Sequence, residues 1–395
     1  MQPHIDLDLC PTPAIEVARD LGSVAREDWD RMVDPDCPFL RHDFLHGLEQ
    51  HDCLRPHGWT PVHLLARAGA RLAGALPLYL KENSHGEFVF DWSWAEAYQR
   101  AGGRYYPKLV SAIPFTPVTG PRVLVAEERQ RAALTRQLFA HAEQLMREWG
   151  LSSLHCLFPE EVTAAALSGG GAALRRVGVQ YHWHNAGYRD FADFLDALDS
   201  KRRKQLRRER RDVAAGGVEI EVLPGAAIGD EHWSVFHRFY RSTFERKWGE
   251  PRFTQPFFRS LGRSMPEAVV LLLARERGEY VGGAFALRGS RTLYGRHWGC
   301  SRFIRHLHFE LCYYATVEYC IRHGLTRLDA GAQGEHKLAR GFAPVRTWSV
   351  HWLRDTGFRD AVADFLRRER IAVDRYLGEL KAHSPYRTGA SGGPA

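Results

Sequence analysis

Four ionisable side chains sit within the six residues Glu335-His336-Lys337-Leu338-Ala339-Arg340, and Asp329 lies just upstream. Acids, an imidazole and cations gathered in one short stretch are the groups from which proton transfer and charge stabilisation are built. Gly331, Gly334 and Gly341 punctuate the stretch, and glycine lets a backbone turn tightly and approach a ligand closely. Asp329 to Phe342 therefore reads as a catalytic rim. The competing reading of the same residues is a solvated turn with scattered charges.

Such a rim needs rigid elements on both sides. Before it, Phe309 to His323 has the pattern of an apolar, aromatic helix that Gly324 is placed to stop. Leu325 to Leu328 then reads as a short strand, and Val345 to Leu353 as a further strand after the rim. A charged amphipathic helix is expected over 358–377.

A second stretch stands out by charge. Residues 201–211 hold eight basic side chains and one acid, which accounts for the whole formal charge of +7. The spacing predicts one long helix over 189–212. Phe191, Phe194, Leu195, Leu198 and Leu206 fall on one side, with Arg202 among them, and the other cations on the opposite half. Like charges at i,i+4 repel, so the density of one sign points to an anionic partner, a phosphate, RNA or acidic lipid headgroup. Arg203, Lys204, Arg207, Arg208 and Arg211 are the candidate contacts. A solvated charged face is the alternative.

The first part of the chain reads as short helices over 27–50, broken at Pro35 and Pro38, then strands at 62–67, 72–80 and 87–94 and a short helix to Arg100. A strand at 122–125, a helix lined by Leu134, Leu138, Ala142, Leu145 and Met146, and a strand at 154–158 follow. An internal repeat organises the whole. Leu64-Leu65-Ala66-Arg67, a turn at Gly69 and Leu72-Ala73-Gly74-Ala75-Leu76 match Leu272-Leu273-Ala274-Arg275, a turn at Gly278 and Val281-Gly282-Gly283-Ala284-Phe285. Each copy is followed by strand, helix and strand. This predicts an α/β (α+β) protein of two similar halves: residues 1–185, residues 186–382 carrying the basic helix, and a disordered tail over 383–395.

With 395 residues, 44% of them hydrophobic and 12% aromatic, two cores can be buried. No run approaches membrane-spanning length. The N-terminus carries Asp6 and Asp8 and no Lys or Arg before residue 19, unlike a signal peptide, so a cytoplasmic protein is expected. Seven scattered cysteines without a CxxC pair argue for reduced thiols. His306, His308 and Glu310, and His182 and His184, lack the three or four convergent ligands that a metal requires, so no metal site is expected.

The LLAR strand, glycine turn and following strand resemble the second and third strands of the GNAT acyltransferase fold. The tandem arrangement is similar to the Fem ligases, which build peptidoglycan cross-bridges from aminoacyl-tRNA. More specifically, Asn83 to Trp92, Tyr105-Tyr106-Pro107-Lys108-Leu109, Pro114 to Pro121 and Gly331 to Phe342 resemble the FemAB-like family of peptidoglycan biosynthesis/recognition proteins. The resemblance runs from about Glu27 to Asp360. It implies tandem GNAT-like domains, each a mixed sheet flanked by helices, and an N-acyl or aminoacyl transferase in cell-envelope metabolism. The alternative is a non-catalytic module that recognises a cell-wall peptide, RNA or acidic lipid.

Acyl transfer to an amine needs a base for the ammonium proton, a donor for the oxyanion and aligned substrates. Glu335 or His336 is the expected base, and Lys337 or Arg340 the oxyanion or carboxylate partner. Asp91, Glu96, Tyr106 and Lys108 are expected to bind a small-molecule or peptide amine acceptor from the first half. GNAT enzymes cradle the coenzyme A pyrophosphate on a glycine-rich loop that opens a helix. The corresponding segments, Cys300 to His308 and the Gly120-Pro121 region, lack that pattern. Acetyl-CoA is therefore disfavoured, no bound cofactor is implied, and aminoacyl-tRNA or an acyl thioester is the expected donor, with tRNA or a similar polyanion at the basic helix.

Overall fold

The two LLAR copies build the same hairpin. His63–Ala68 pairs antiparallel with Arg71–Leu76, and Val269–Glu276 with Glu279–Arg288. In both, the register slips at the equivalent step, between Ala66 and Arg67 and between Ala274 and Arg275, just before the glycine turn. A bulge at a matched position re-aims the strand in the same way in each copy. Each half also contains one parallel strand pair joined through a helix. Lys108–Ser111 pairs with Ser153–Leu157 across the helix Arg131–Glu148, and Thr292–Cys300 with Arg327–Asp329 across the helical segment Leu307–Arg322.

These relationships come from a computed structural model, which describes residues 13–245, 249–332 and 334–387. Ala14–Ala18, His63–Ala68, Arg71–Leu76 and Leu124–Val125 form a four-stranded sheet. A second, mixed sheet runs Val218–Pro224, Val269–Glu276, Glu279–Arg288, Thr292–Cys300, Arg327–Asp329, Leu174–His184, Ala343–Leu353, Ser153–Leu157, Lys108–Ser111, Tyr79–Lys81 and Trp59–Pro61. Leu174–His184, early in the chain, thus lies between two strands from the end of it, and Ala343–Leu353 in turn pairs with Ser153–Leu157. One sheet joins the chain on either side of residue 185.

Packing joins them too. A single aromatic core contains Trp29, Phe39, Trp59 and Tyr79 together with Phe236, Phe258, Phe285 and Tyr294. Asp36 ties the early chain to the strand that carries the candidate site. Its Oδ1 accepts from the Arg291 and Thr292 amides, and its Oδ2 from the Thr292 hydroxyl, all at 2.8 Å. Among the described residues no helix is long and apolar enough to cross a membrane.

Three expectations are corrected. Residues 189–212 form two helices, Phe191–Ala197 and Ser200–Ala215, because the Asp199 carboxylate caps the second by accepting from the Arg202 amide at 2.8 Å. Residues 87–94 are not a strand: the alternating rings of Phe88, Phe90 and Trp92 precede and open the helix Trp92–Arg100. The tail is packed as far as Arg387. Pro385 O accepts from the Asp199 amide, and the Tyr386 hydroxyl donates to Gly341 O at 2.7 Å. Residues 388–395 lie outside the described residues.

Candidate functional site

Thr292–Cys300 and Arg327–Asp329 are paired only over Thr292 to Tyr294. Beyond that point the two strands part, and a cavity of about 70 Å³ opens between them. Small residues make the room: Ala284, Ala286, Gly295 and Ala330 line it, facing Cys312 and Tyr313. Cys312 and Tyr313 belong to a π-helical turn, Glu310–Tyr314, in the helix that the sequence predicts from Phe309. Such turns recur at functional sites because the extra residue redirects side chains. Gly324, at φ +64°, ends that helix as expected.

The glycine-rich rim follows. Gly331, Gly334 and Gly341 all have positive φ, and a Cβ on Gly341 would stand 2.9 Å from the Phe194 ring. The chain therefore turns back sharply into a short 3-10 helix, Glu335–Arg340, which points its charged side chains in different directions.

Lys337 turns inward and is 1% exposed, with Nζ donating to Gly331 O at 2.6 Å. Burial pulls its ammonium down to about 8, against the opposing charge of Asp329. Asp329 is itself buried; its Oδ1 accepts from the Gly331 amide at 2.9 Å, and its Oδ2 lies 3.6 Å from His182 Nε2. Arg296 lines the cavity and donates to Phe115 O at 2.8 Å, linking the site to the Pro114–Pro121 segment. Burial lowers it to about 10, again with Asp329 opposing. An ammonium, a guanidinium and a carboxylate thus meet beside an apolar cavity. His336 is exposed on the 3-10 helix, next to two residues that line the cavity: its Nε2 lies 2.8 Å from the Tyr313 hydroxyl, and its ring centroid 6.0 Å from that of His308. Burial, then the charges of Arg340 and Lys337, hold its imidazole below the ordinary histidine value, so it is neutral at pH 7.

The remaining predicted rim residues go elsewhere. Glu335 points to the surface and accepts from the Tyr376 hydroxyl at 2.6 Å. Arg340 is buried and committed: its guanidinium donates to both Glu209 oxygens at 2.9 and 3.1 Å and to the Tyr314 hydroxyl, and stacks 3.5 Å from the Phe309 ring centroid. Glu209 is the one acid of the basic run. It faces the interior at 3% exposure and braces the rim from behind. The sequence reading missed it, along with Arg296, and weighed His182 only as a metal ligand.

In the first half, Lys108, Asp91 and Tyr106 do come together, with Ser84 and Glu87. Lys108 Nζ donates to Ser84, Glu87 and Asp91 at 2.8, 2.9 and 2.5 Å, and Tyr106 reaches Ser84 at 2.8 Å. The cluster is buried, and desolvation pushes the Glu87 carboxyl up to about 7. Glu96 is not part of it; it lies exposed on the helix Trp92–Arg100.

Along the basic helix, Arg203 and Arg207 reach Asp196 at 2.9 and 3.5 Å, and Arg210 pairs with Glu310 and Glu318. Arg202 is half-buried and donates to Gln205. Lys204, Arg208 and Arg211 are exposed, with no ion-pair partner among the described residues.

A family model described as peptidoglycan biosynthesis/recognition matches residues 20–388. No curated protein matches. Among solved structures, the crystal structure of FemX is similar over 86% of this chain and 98% of its own, at 10% identity and a TM-score of 0.54. The C-terminal domain of a putative lysylphosphatidylglycerol synthetase from Agrobacterium fabrum is similar over 87% and 96%, at 8% identity and 0.52. A tandem GNAT protein from the clavulanic acid biosynthesis pathway matches over 86% and 98%, at 16% identity and 0.45. The fold is a mixed α/β arrangement similar to that of FemX, with the same hairpin built twice.

Proposed function

Because the chain belongs to the FemAB-like family, described as acting in peptidoglycan biosynthesis or recognition, we propose that it transfers an acyl or aminoacyl group to the amine of a cell-envelope acceptor. The observation that carries this reading is the buried Lys337, set beside Asp329 and Arg296 where two parallel strands part. A buried cation costs stability unless it is used or paired, and here it adjoins a cavity that can hold a small acyl group.

In this reading the acceptor amine loses a proton to neutral His336 and attacks the donor carbonyl. The resulting tetrahedral oxyanion is held by the Lys337 ammonium in a site largely closed to water, where a fixed charge acts most strongly. Collapse breaks the bond to the leaving oxygen or sulfur, which takes up a proton. Asp329 keeps Lys337 charged, and Arg340, through Glu209, fixes the 3-10 helix. The donor is an aminoacyl ester or acyl thioester, and the exposed Lys204, Arg208 and Arg211 suit a polyanionic carrier such as tRNA.

The roles of His336 and Lys337 have opposite signs in pH. His336 must be deprotonated, so activity rises as pH climbs through a value below 6.5. Lys337 must stay protonated, so activity falls as pH passes about 8. The expected kcat profile is a bell, and its alkaline limb disappears from the residual activity of Lys337→Met. An alkaline limb unchanged in that variant assigns the titration to another group and removes Lys337 from the mechanism.

A further inference from the structure

A second cavity, of about 270 Å³, lies over the paired strands Leu174–His184 and Ala343–Leu353. Phe88 and Phe90 form its rim, and Ala332, next to the Gly331 carbonyl that holds Lys337, also lines it. Both rings are exposed, at 37% and 54%. The rim is held in place: Arg176 donates to Phe90 O at 2.7 Å and to both Glu369 oxygens at 2.7 and 2.8 Å.

The floor carries an unmet hydrogen-bonding group. Gln180 is 2% exposed, and its Nε2 donates to Pro117 O at 2.8 Å. A carbonyl only accepts, so the amide nitrogen must face it, and the amide orientation is fixed. Gln180 Oε1 is then left buried without a donor. Buried polar groups are nearly always paired, and one left open calls for a missing partner. Two residues on, on the same strand face, His182 Nε2 is also buried without a hydrogen-bond partner, 3.6 Å from Asp329. Two residues of strand span about 6.6 Å, the interval at which an extended peptide presents polar backbone groups on one side. This row of unmet groups leads from the cleft towards the Asp329–Lys337 cluster.

We infer that the cleft binds an extended peptide, which donates a backbone N–H to Gln180 Oε1 while its side chains pack on Phe88 and Phe90. That this peptide carries the acceptor amine rests on the transferase reading; that the cleft binds a peptide does not. The assignment moves the acceptor site away from the Lys108 cluster, where the Lys108 ammonium is already engaged by Ser84, Glu87 and Asp91.

The test is calorimetric titration of the full chain with the peptide Ala-Ala-Lys-Ala-Ala, and separately with decanoate, an apolar chain that lacks N–H donors. Wild type is expected to bind the peptide in preference to decanoate. Gln180→Met, which keeps the volume and removes the acceptor, is expected to weaken peptide binding about tenfold, and Phe90→Ala to weaken it with no change in thermal unfolding. Wild type that does not bind the peptide, Gln180→Met that binds it as tightly as wild type, or decanoate bound more tightly than the peptide overturns the inference. Peptide binding without turnover removes the transferase reading and leaves the cleft standing. Turnover without peptide binding removes the cleft alone.

Discussion

Lys337→Met is expected to lower kcat for acyl transfer on the order of a hundred- to a thousand-fold, the loss seen when one oxyanion donor is removed. Methionine keeps an unbranched buried side chain and deletes the charge, so the space that the Lys337 side chain occupies stays filled. The loss should appear in kcat, with KM for the acceptor little changed, because the ammonium acts on charge that develops only in the transition state. Thermal unfolding measured alongside separates this from loss of fold, since Asp329 keeps its bond from the Gly331 amide. A kcat within about threefold of wild type would mean that Lys337 is structural.

The second large effect is on stability. Arg340→Ala leaves Glu209 ionised, 3% exposed and stripped of its bidentate partner. Removing one member of a buried pair costs about 3–5 kcal/mol, and the lost stacking on Phe309 adds to it. Urea denaturation should show the midpoint falling accordingly. The double variant Glu209→Gln/Arg340→Met should recover much of the loss, because no charge is then left unpaired in the interior. If Arg340→Ala costs less than about 1 kcal/mol, as for an exposed pair, the rim is braced by something else.

These two residues also mark what can be read from a linear chain. The setting of Lys337 was legible: a cation among glycines just past a strand is a local pattern, and the structure turns it inward onto the Gly331 carbonyl. The repeat was legible because matched sequence gave matched hairpins, down to the bulge before each glycine turn. Glu209 was not legible. It is one acid among eight bases, and its meaning depends on Arg340, 131 residues away. Gln180 was equally silent, and His182 was weighed only as a metal ligand, since a strand pattern shows which residues share a face but not which strand lies alongside. The insertion of Leu174–His184 between Arg327–Asp329 and Ala343–Leu353 is set by tertiary packing alone. Residues 87–94 misled for a related reason. Phe88, Phe90 and Trp92 alternate as a strand does, and two of these rings line a cleft instead.

The proposed chemistry is tested most directly by mass. Wild type is incubated with bulk aminoacyl-tRNA, or with an acyl thioester, and an amine-bearing cell-wall peptide, and the peptide is weighed by mass spectrometry. Transfer at the Lys337 site predicts a peptide heavier by one acyl or aminoacyl group, with the donor consumed in step and neither change with Lys337→Met. A peptide that binds but returns at its original mass, with every donor intact, would contradict that account and identify a recognition module built on a transferase fold.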